Sequence, residues 1–162
     1  MAATVTVQRP THKQIEQFLA QRRFAMVGVS REAKDFTRTL FREFVGREYD
    51  VVPVNPAVQE IDGRRCYSSV REIEPAVGAV LLLTSPAATK TIVRECADAG
   101  VKQVWMYRAA GAGAIDPEAV TFCRERGIDV IEGECPFMFL PKTGFPHRVH
   151  GLILKICGKY PK

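Results

Sequence analysis

No apolar run in this sequence approaches the roughly 20 residues needed to cross a bilayer, so no membrane segment is predicted. Residues 1–10 hold no apolar signal-peptide core and no small-residue cleavage site, so they read as a loose leader and the protein as soluble and cytoplasmic. None of the five cysteines (Cys66, Cys96, Cys123, Cys135 and Cys157) lies in a C-x-x-C pair, which argues against a zinc knuckle or a redox motif and for reduced, mostly buried thiols. The basic residues are scattered and no aromatic-studded strand accompanies them, so nucleic acid is not the expected partner. A G-x-S-x-G nucleophile elbow and a Tyr-x-x-x-Lys pair are both missing, which leaves no catalytic residue to name.

What is present is an ordinary globular composition, 46% hydrophobic and 25% charged, with enough apolar material to bury one substantial core. The formal charge of +5 favours an anionic partner, and a phosphate-rich small molecule satisfies it. Short apolar runs alternate with amphipathic segments along the chain. Helices are expected at 11–22 (with Thr11 as N-cap), 36–48, 86–99 and 117–126, and strands at 24–29, 51–54, 79–83, 101–106 and 128–131. Pro86 and Pro117 fall in first turns, and Gly100 and Gly127 just past helix ends. Pro53 cannot donate to a ladder and marks a strand end or an irregular pairing. A turn at Asp62-Gly63, a minor strand at 64–67 and a helical turn at 68–73 fill the gap before the third main strand.

This alternation predicts an α/β fold, a doubly wound parallel sheet of about five strands with helices on both faces, most simply in the order 3-2-1-4-5. One domain is expected over 1–162, with a core at about 11–136. An apolar loop and an amphipathic helix follow over 137–162, the helix carrying Val149, Leu152, Ile153, Ile156 and Cys157 on one face. That face either covers the sheet or forms a homodimer contact.

Ligands of open parallel sheets bind beyond the carboxyl ends of the strands, where the strand order reverses. In the expected order that point lies between the first and fourth strands, and the turn delivered there is Gly28-Val29-Ser30-Arg31-Glu32-Ala33-Lys34. Gly28 permits close backbone approach, Ser30 offers a hydroxyl, Arg31 and Lys34 offer charge, and the N–H groups at the start of the following helix favour a phosphate. Against G-x-G-x-x-G the chain presents Gly28, Ser30 and Ala33, so two of the three glycines are replaced. The second strand ends in Asn55-Pro56, without the carboxylate that holds the adenosine ribose in NAD sites. NADP or coenzyme A (CoA) fits that end better than NAD does.

Val27-Gly28-Val29-Ser30, Val52-Pro53-Val54-Asn55-Pro56, Gly63-Arg64-Arg65-Cys66-Tyr67-Ser68-Ser69-Val70, Val104-Trp105-Met106 and Gly133-Glu134-Cys135-Pro136 follow one another at compatible spacing. Over roughly 24–136 the chain resembles the small stand-alone CoA-binding proteins, which are similar to the N-terminal domain of the succinyl-CoA synthetase α subunit. The resemblance implies a Rossmann-like fold with CoA or an acyl-CoA across the switch point. It implies phosphates and adenine along Gly28, Ser30 and Lys34 and near Asn55-Pro56, with Thr84-Ser85-Pro86 and Tyr107-Arg108 bordering the cofactor. Many relatives carry a Trp-x-Gln segment after the fourth strand, where this chain has Trp105-Met106-Tyr107.

His147 and His150 sit at helical spacing, but no neighbouring ligand set completes a metal site, and none is expected. Cys135 would need a cationic neighbour to act as a nucleophile, and Glu134 stands beside it instead. Three readings follow: a CoA-binding module without chemistry of its own, regulatory or carrier; an NADP-dependent oxidoreductase; and a protein-interaction module whose nucleotide site is vestigial.

Overall fold

The computed structural model describes residues 7–109 and 111–141. The expected C-terminal helix, with His147, His150 and Cys157, lies outside the described residues, and so does the dimer contact assigned to it.

The first helix, α1 (His12–Ala20), begins at Thr11, whose hydroxyl accepts from the Gln14 N–H while the Gln14 side chain answers the Thr11 N–H. This capping box satisfies two donors that a helix start leaves open. Strand β1 (Arg23–Val27) leads to α2 (Phe36–Gly46), and β2 (Asp50–Val54) to a hairpin of β3 (Glu60–Ile61) and β4 (Arg64–Arg65). Asp62 and Gly63, with φ of 47° and 77°, form its tip, the left-handed pair that a tight two-residue hairpin demands. A 3-10 turn at Val70–Glu72 precedes β5 (Ala79–Leu82), α3 (Pro86–Asp98), β6 (Gln103–Met106), α4 (Pro117–Glu125), β7 (Asp129–Glu132) and a last 3-10 turn at Pro136–Met138.

The sheet is five-stranded, parallel throughout, and ordered β2-β1-β5-β6-β7. Counting main strands along the chain, this is 2-1-3-4-5. The fold class is the expected one and the order 3-2-1-4-5 is not. The second strand lies at an edge, because the chain after it crosses β1 and lays the third strand on its far side. Pro53 explains why the edge suits β2. Its carbonyl accepts from the Tyr67 N–H at 3.1 Å, outside the main sheet, and a residue's N–H faces the same side as its carbonyl in a strand. The donor that proline lacks is therefore missing from the open edge and not from the β1 ladder.

Alternation along the strands sorts their side chains onto two faces. Phe24, Met26, Val51, Leu81, Trp105 and Ile131 pack with Ile15 and Phe18 of α1 and Leu40, Phe41 and Phe44 of α2. Ala25, Val27, Val52, Val80, Leu82, Val104 and Met106 pack with Val93 and Cys96 of α3 and Ala119, Val120 and Cys123 of α4. One face is aromatic: Phe18 meets Phe24 at 5.1 Å and Trp105 edge-on at 5.3 Å. The other is small and aliphatic. Cys66, Cys96, Cys123 and Cys135 are free and buried, as the sequence implies for these four.

Candidate functional site

With strand order 2-1-3-4-5, the switch point falls between β1 and β5, one strand away from the place the expected order gave it. Gly28 still stands there. Its φ is 93°, its N–H donates to the Val54 carbonyl at 3.1 Å, and a Cβ on it would come within 2.8 Å of the Leu83 carbonyl oxygen. Glycine is required here by the backbone leaving β5, before any ligand is considered.

The segment after Gly28 is a built loop. The Ser30 N–H donates to Thr37 Oγ1 at 2.9 Å, and the Ser30 hydroxyl accepts from the Glu32 N–H at 3.0 Å. Arg38, only 7% exposed, donates from Nη1 to the carbonyls of Ser30 (3.3 Å) and Arg31 (3.2 Å), and from Nη2 to Asp62 at the hairpin tip. Arg42 donates to the Ala33 carbonyl at 2.9 Å and to both oxygens of Asp62, at 2.8 and 3.2 Å. Asp62 is held below the usual carboxylate range, first by its hydrogen bond with Arg42 and further by Arg38. The Nε of Arg38 is buried without a hydrogen-bond partner among the described residues. The side chains of Arg31 and Lys34 are exposed.

The start of α2 differs from the expectation. Asp35 is its N-cap and accepts from the Thr37 N–H at 2.8 Å, so a carboxylate already occupies part of the helix end proposed for phosphate. Donors remain just upstream: the N–H groups of Arg31, Ala33 and Lys34 make no hydrogen bond among the described residues. Three amide donors and two exposed cations in one short loop fit a phosphate group.

Asn55 is engaged in structure. Its amide donates to the Val29 carbonyl at 2.9 Å and its side-chain oxygen accepts from the Ala57 N–H at 2.8 Å, which ties the exits of β1 and β2 together. Pro56 is exposed beside it. Ser85 caps α3 by accepting from the Ala88 N–H, Pro86 fills the first position of that helix, and Thr84 shares a 2.9 Å hydrogen bond with Thr89. The Thr84 methyl lies 3.2 Å from where a Gly28 Cβ would stand, so the β1 and β5 exits touch.

Tyr107, after β6, is half-buried, and its ring lies 5.7 Å from Phe36 at the start of α2. Phe137 meets the same Phe36 ring at 5.8 Å. Burial, with the Cys135 thiol close by, pushes the Tyr107 hydroxyl up to about 12, and burial likewise raises Cys135. A thiol held protonated is a poor nucleophile, consistent with the sequence reading of Cys135. Arg108, the next residue, is exposed.

Gly28, Val29, Ser30, Asn55 and Thr84 are thus joined directly, and Phe36 links the β1 loop to Tyr107 across the β5 exit. Sequence reasoning missed Arg38, Arg42 and Asp62, whose contacts span 24 and 20 positions, and it missed Glu132 at the end of β7. Glu132 is 3% exposed, pairs with Arg124 of α4 and accepts from the Gln8 N–H at 3.3 Å. Burial raises its carboxyl above the ordinary value. It lines an open depression of about 290 Å³ with Arg9, Arg108 and Glu134. Among the described residues no cluster of three His, Cys, Asp or Glu could hold a metal ion, and no helix is long and apolar enough to cross a membrane.

The chain is 25% identical over 130 residues to the uncharacterized protein YneT of Bacillus subtilis, a match covering 80% of this chain and 93% of YneT. It is 28% identical over 131 residues to the α subunit of acetate–CoA ligase [ADP-forming] II of Pyrococcus furiosus, covering 75% of this chain but only 28% of that subunit. Among solved structures, a hypothetical protein from Pyrococcus horikoshii superposes with a TM-score of 0.73 at 28% identity, over 82% of this chain and 94% of that one. Residues 22–141 match the family model described as CoA binding domain, and the chain belongs to that family.

Proposed function

We propose that this protein binds CoA or an acyl-CoA along the carboxyl rim of the sheet, as a regulatory or carrier module with no chemistry of its own. The observation that carries this reading is the polarity of the rim. At one end the 30–34 loop offers N–H groups without partners among the described residues, with Arg31 and Lys34, which suits the phosphates of CoA. Beyond the β5 exit, Phe36, Tyr107 and Phe137 form an aromatic wall whose hydroxyl and neighbouring thiol stay protonated, which suits the uncharged pantetheine arm. When bound, CoA supplies a thiol able to carry an acyl group. This chain's residues orient the cofactor: Gly28 and Asn55 fix the loop exits, and Thr84, Ser85 and Pro86 border them. At the β2 exit the amide of Asn55 is already committed, and Pro56 adds no carboxylate to hold an NAD ribose.

The test is thermal stabilisation by CoA, acetyl-CoA, NADP and NAD, with Lys34→Glu as the variant. Gly28→Asp is a poor choice because its Cβ would strike the Leu83 carbonyl and the fold would suffer first. Lys34 is exposed, so its reversal reports on binding. Stabilisation by CoA that Lys34→Glu weakens is the expected result. Stabilisation by NADP alone contradicts the reading, and no response to any of the four favours a protein-interaction role.

A further inference from the structure

The same loop shows how its donors come to be presented. In a trans peptide unit the carbonyl of one residue and the N–H of the next point in opposite directions. Every peptide bond of this loop is trans, the recorded cis bond being Glu74-Pro75. Arg38 draws the Ser30 carbonyl toward α2, which turns the Arg31 N–H away from it. Arg42 draws the Ala33 carbonyl the same way, which turns the Lys34 N–H outward. The Arg38 hold on the Arg31 carbonyl turns the Glu32 N–H too, and the Ser30 hydroxyl takes that donor. Two of the three loop N–H groups without partners among the described residues are therefore those that the arginines turn away from themselves.

We infer that Arg38 and Arg42, sharing Asp62 as their counter-ion, are positioning residues that hold the 30–34 loop with its main-chain donors facing a diphosphate. Asp62 sits at the hairpin tip, so the β3–β4 hairpin acts as the brace for this clamp. Arg38 is sealed inside, and Arg42, about half exposed, closes the outer side. Neither touches the ligand in this arrangement; they act through the peptide planes they orient. The inference rests on the CoA reading and adds to it which residues shape the phosphate subsite.

Arg42 is the residue to change, because its exposure spares the core. Arg42→Lys keeps the charge but cannot hold Ala33 and both oxygens of Asp62 together; Arg42→Met removes both. Both variants should bind CoA about tenfold more weakly than the parent protein while melting at nearly the same temperature without ligand. Amide resonances of Arg31 and Lys34 should shift on adding inorganic pyrophosphate to the parent, and shift less in either variant. Parental CoA affinity in Arg42→Lys would make Arg42 a simple charge and overturn the clamp. CoA binding with unmoved Arg31 and Lys34 amides would also overturn it while leaving the CoA reading intact. A parent protein that responds to pyrophosphate but not to CoA would instead defeat the CoA reading alone.

Discussion

Two carboxylates at opposite ends of the sheet's carboxyl rim meet arginines and come out differently. Asp62, partly exposed between Arg38 and Arg42, is held below its ordinary pKa because hydrogen bonds to arginine outweigh the loss of solvent. Glu132 has a side chain 1% exposed and pairs with Arg124, yet its carboxyl rises, because burial outweighs the single cation. The β1–β2 end buries Arg38 but leaves Arg31, Lys34 and much of Arg42 in water, and main-chain donors there have no partner among the described residues. The β6–β7 end takes the Glu132 carboxyl out of water and sets Tyr107 and Phe137 against the Phe36 ring, while Arg9 and Arg108 stay exposed beside it. The CoA proposal uses the donors of the first end for phosphates and the aromatic contacts of Phe36 for the pantetheine arm.

The sharpest way to break the contrast is at Glu132. Arg124→Met leaves its carboxylate buried without its cation, and unfolding by denaturant at neutral pH should show a loss of about 3 kcal/mol. An unchanged midpoint would mean that Glu132 is not ionised beside Arg124. Gly28→Ala should cost about 2 kcal/mol through its positive φ and its approach to the Leu83 carbonyl. Gly127→Ala, also at positive φ but with open space around it, should cost nearer 1 kcal/mol. Equal losses at the two positions would show that the crowded β1–β5 exit is not specially constrained.

The smallest effect is one of sign. A carboxyl whose folded pKa is lowered contributes stability above its unfolded pKa and loses it as pH falls through the folded value. Asp62 is of that kind, so Asp62→Asn should flatten the acid loss of stability. A carboxyl raised by burial contributes stability below its unfolded pKa and loses it as pH rises through the folded value. Glu132→Gln should therefore remove a loss on the way up from acid pH. Denaturation midpoints between about pH 3 and pH 7 read both effects, and changes of slope relative to the parent that share one sign in the two variants would contradict the assignment.

Local signals carried the elements and failed at long range, for physical reasons. Thr11, Pro86 and Pro117 mark helix starts because capping is decided within three or four residues, and each stands where the sequence places it. Strand order is decided by the crossover, and only Pro53 bore on it: a strand that lacks one donor belongs at an edge, as β2 does. The Gly28 turn is legible from its neighbours, but its reason for being glycine lies at Leu83, just past β5 and more than fifty positions away. Arg38 and Arg42 stand one helical turn apart, but no local pattern ties them to Asp62, so only the folded hairpin reveals that the three meet. The Asn55 side chain, a short amide between two loop exits, bonds the Val29 carbonyl, a contact 26 positions away that no local pattern announces.

The most direct measurement is a CoA titration followed residue by residue through backbone amide resonances of the intact chain. The account predicts saturable shifts at Arg31, Ala33 and Lys34 together with Phe36, Tyr107 and Phe137, as both ends of the rim engage one ligand. Shifts that spare the 30–34 loop and the aromatic wall, or no shifts with CoA while NADP produces them, would contradict it.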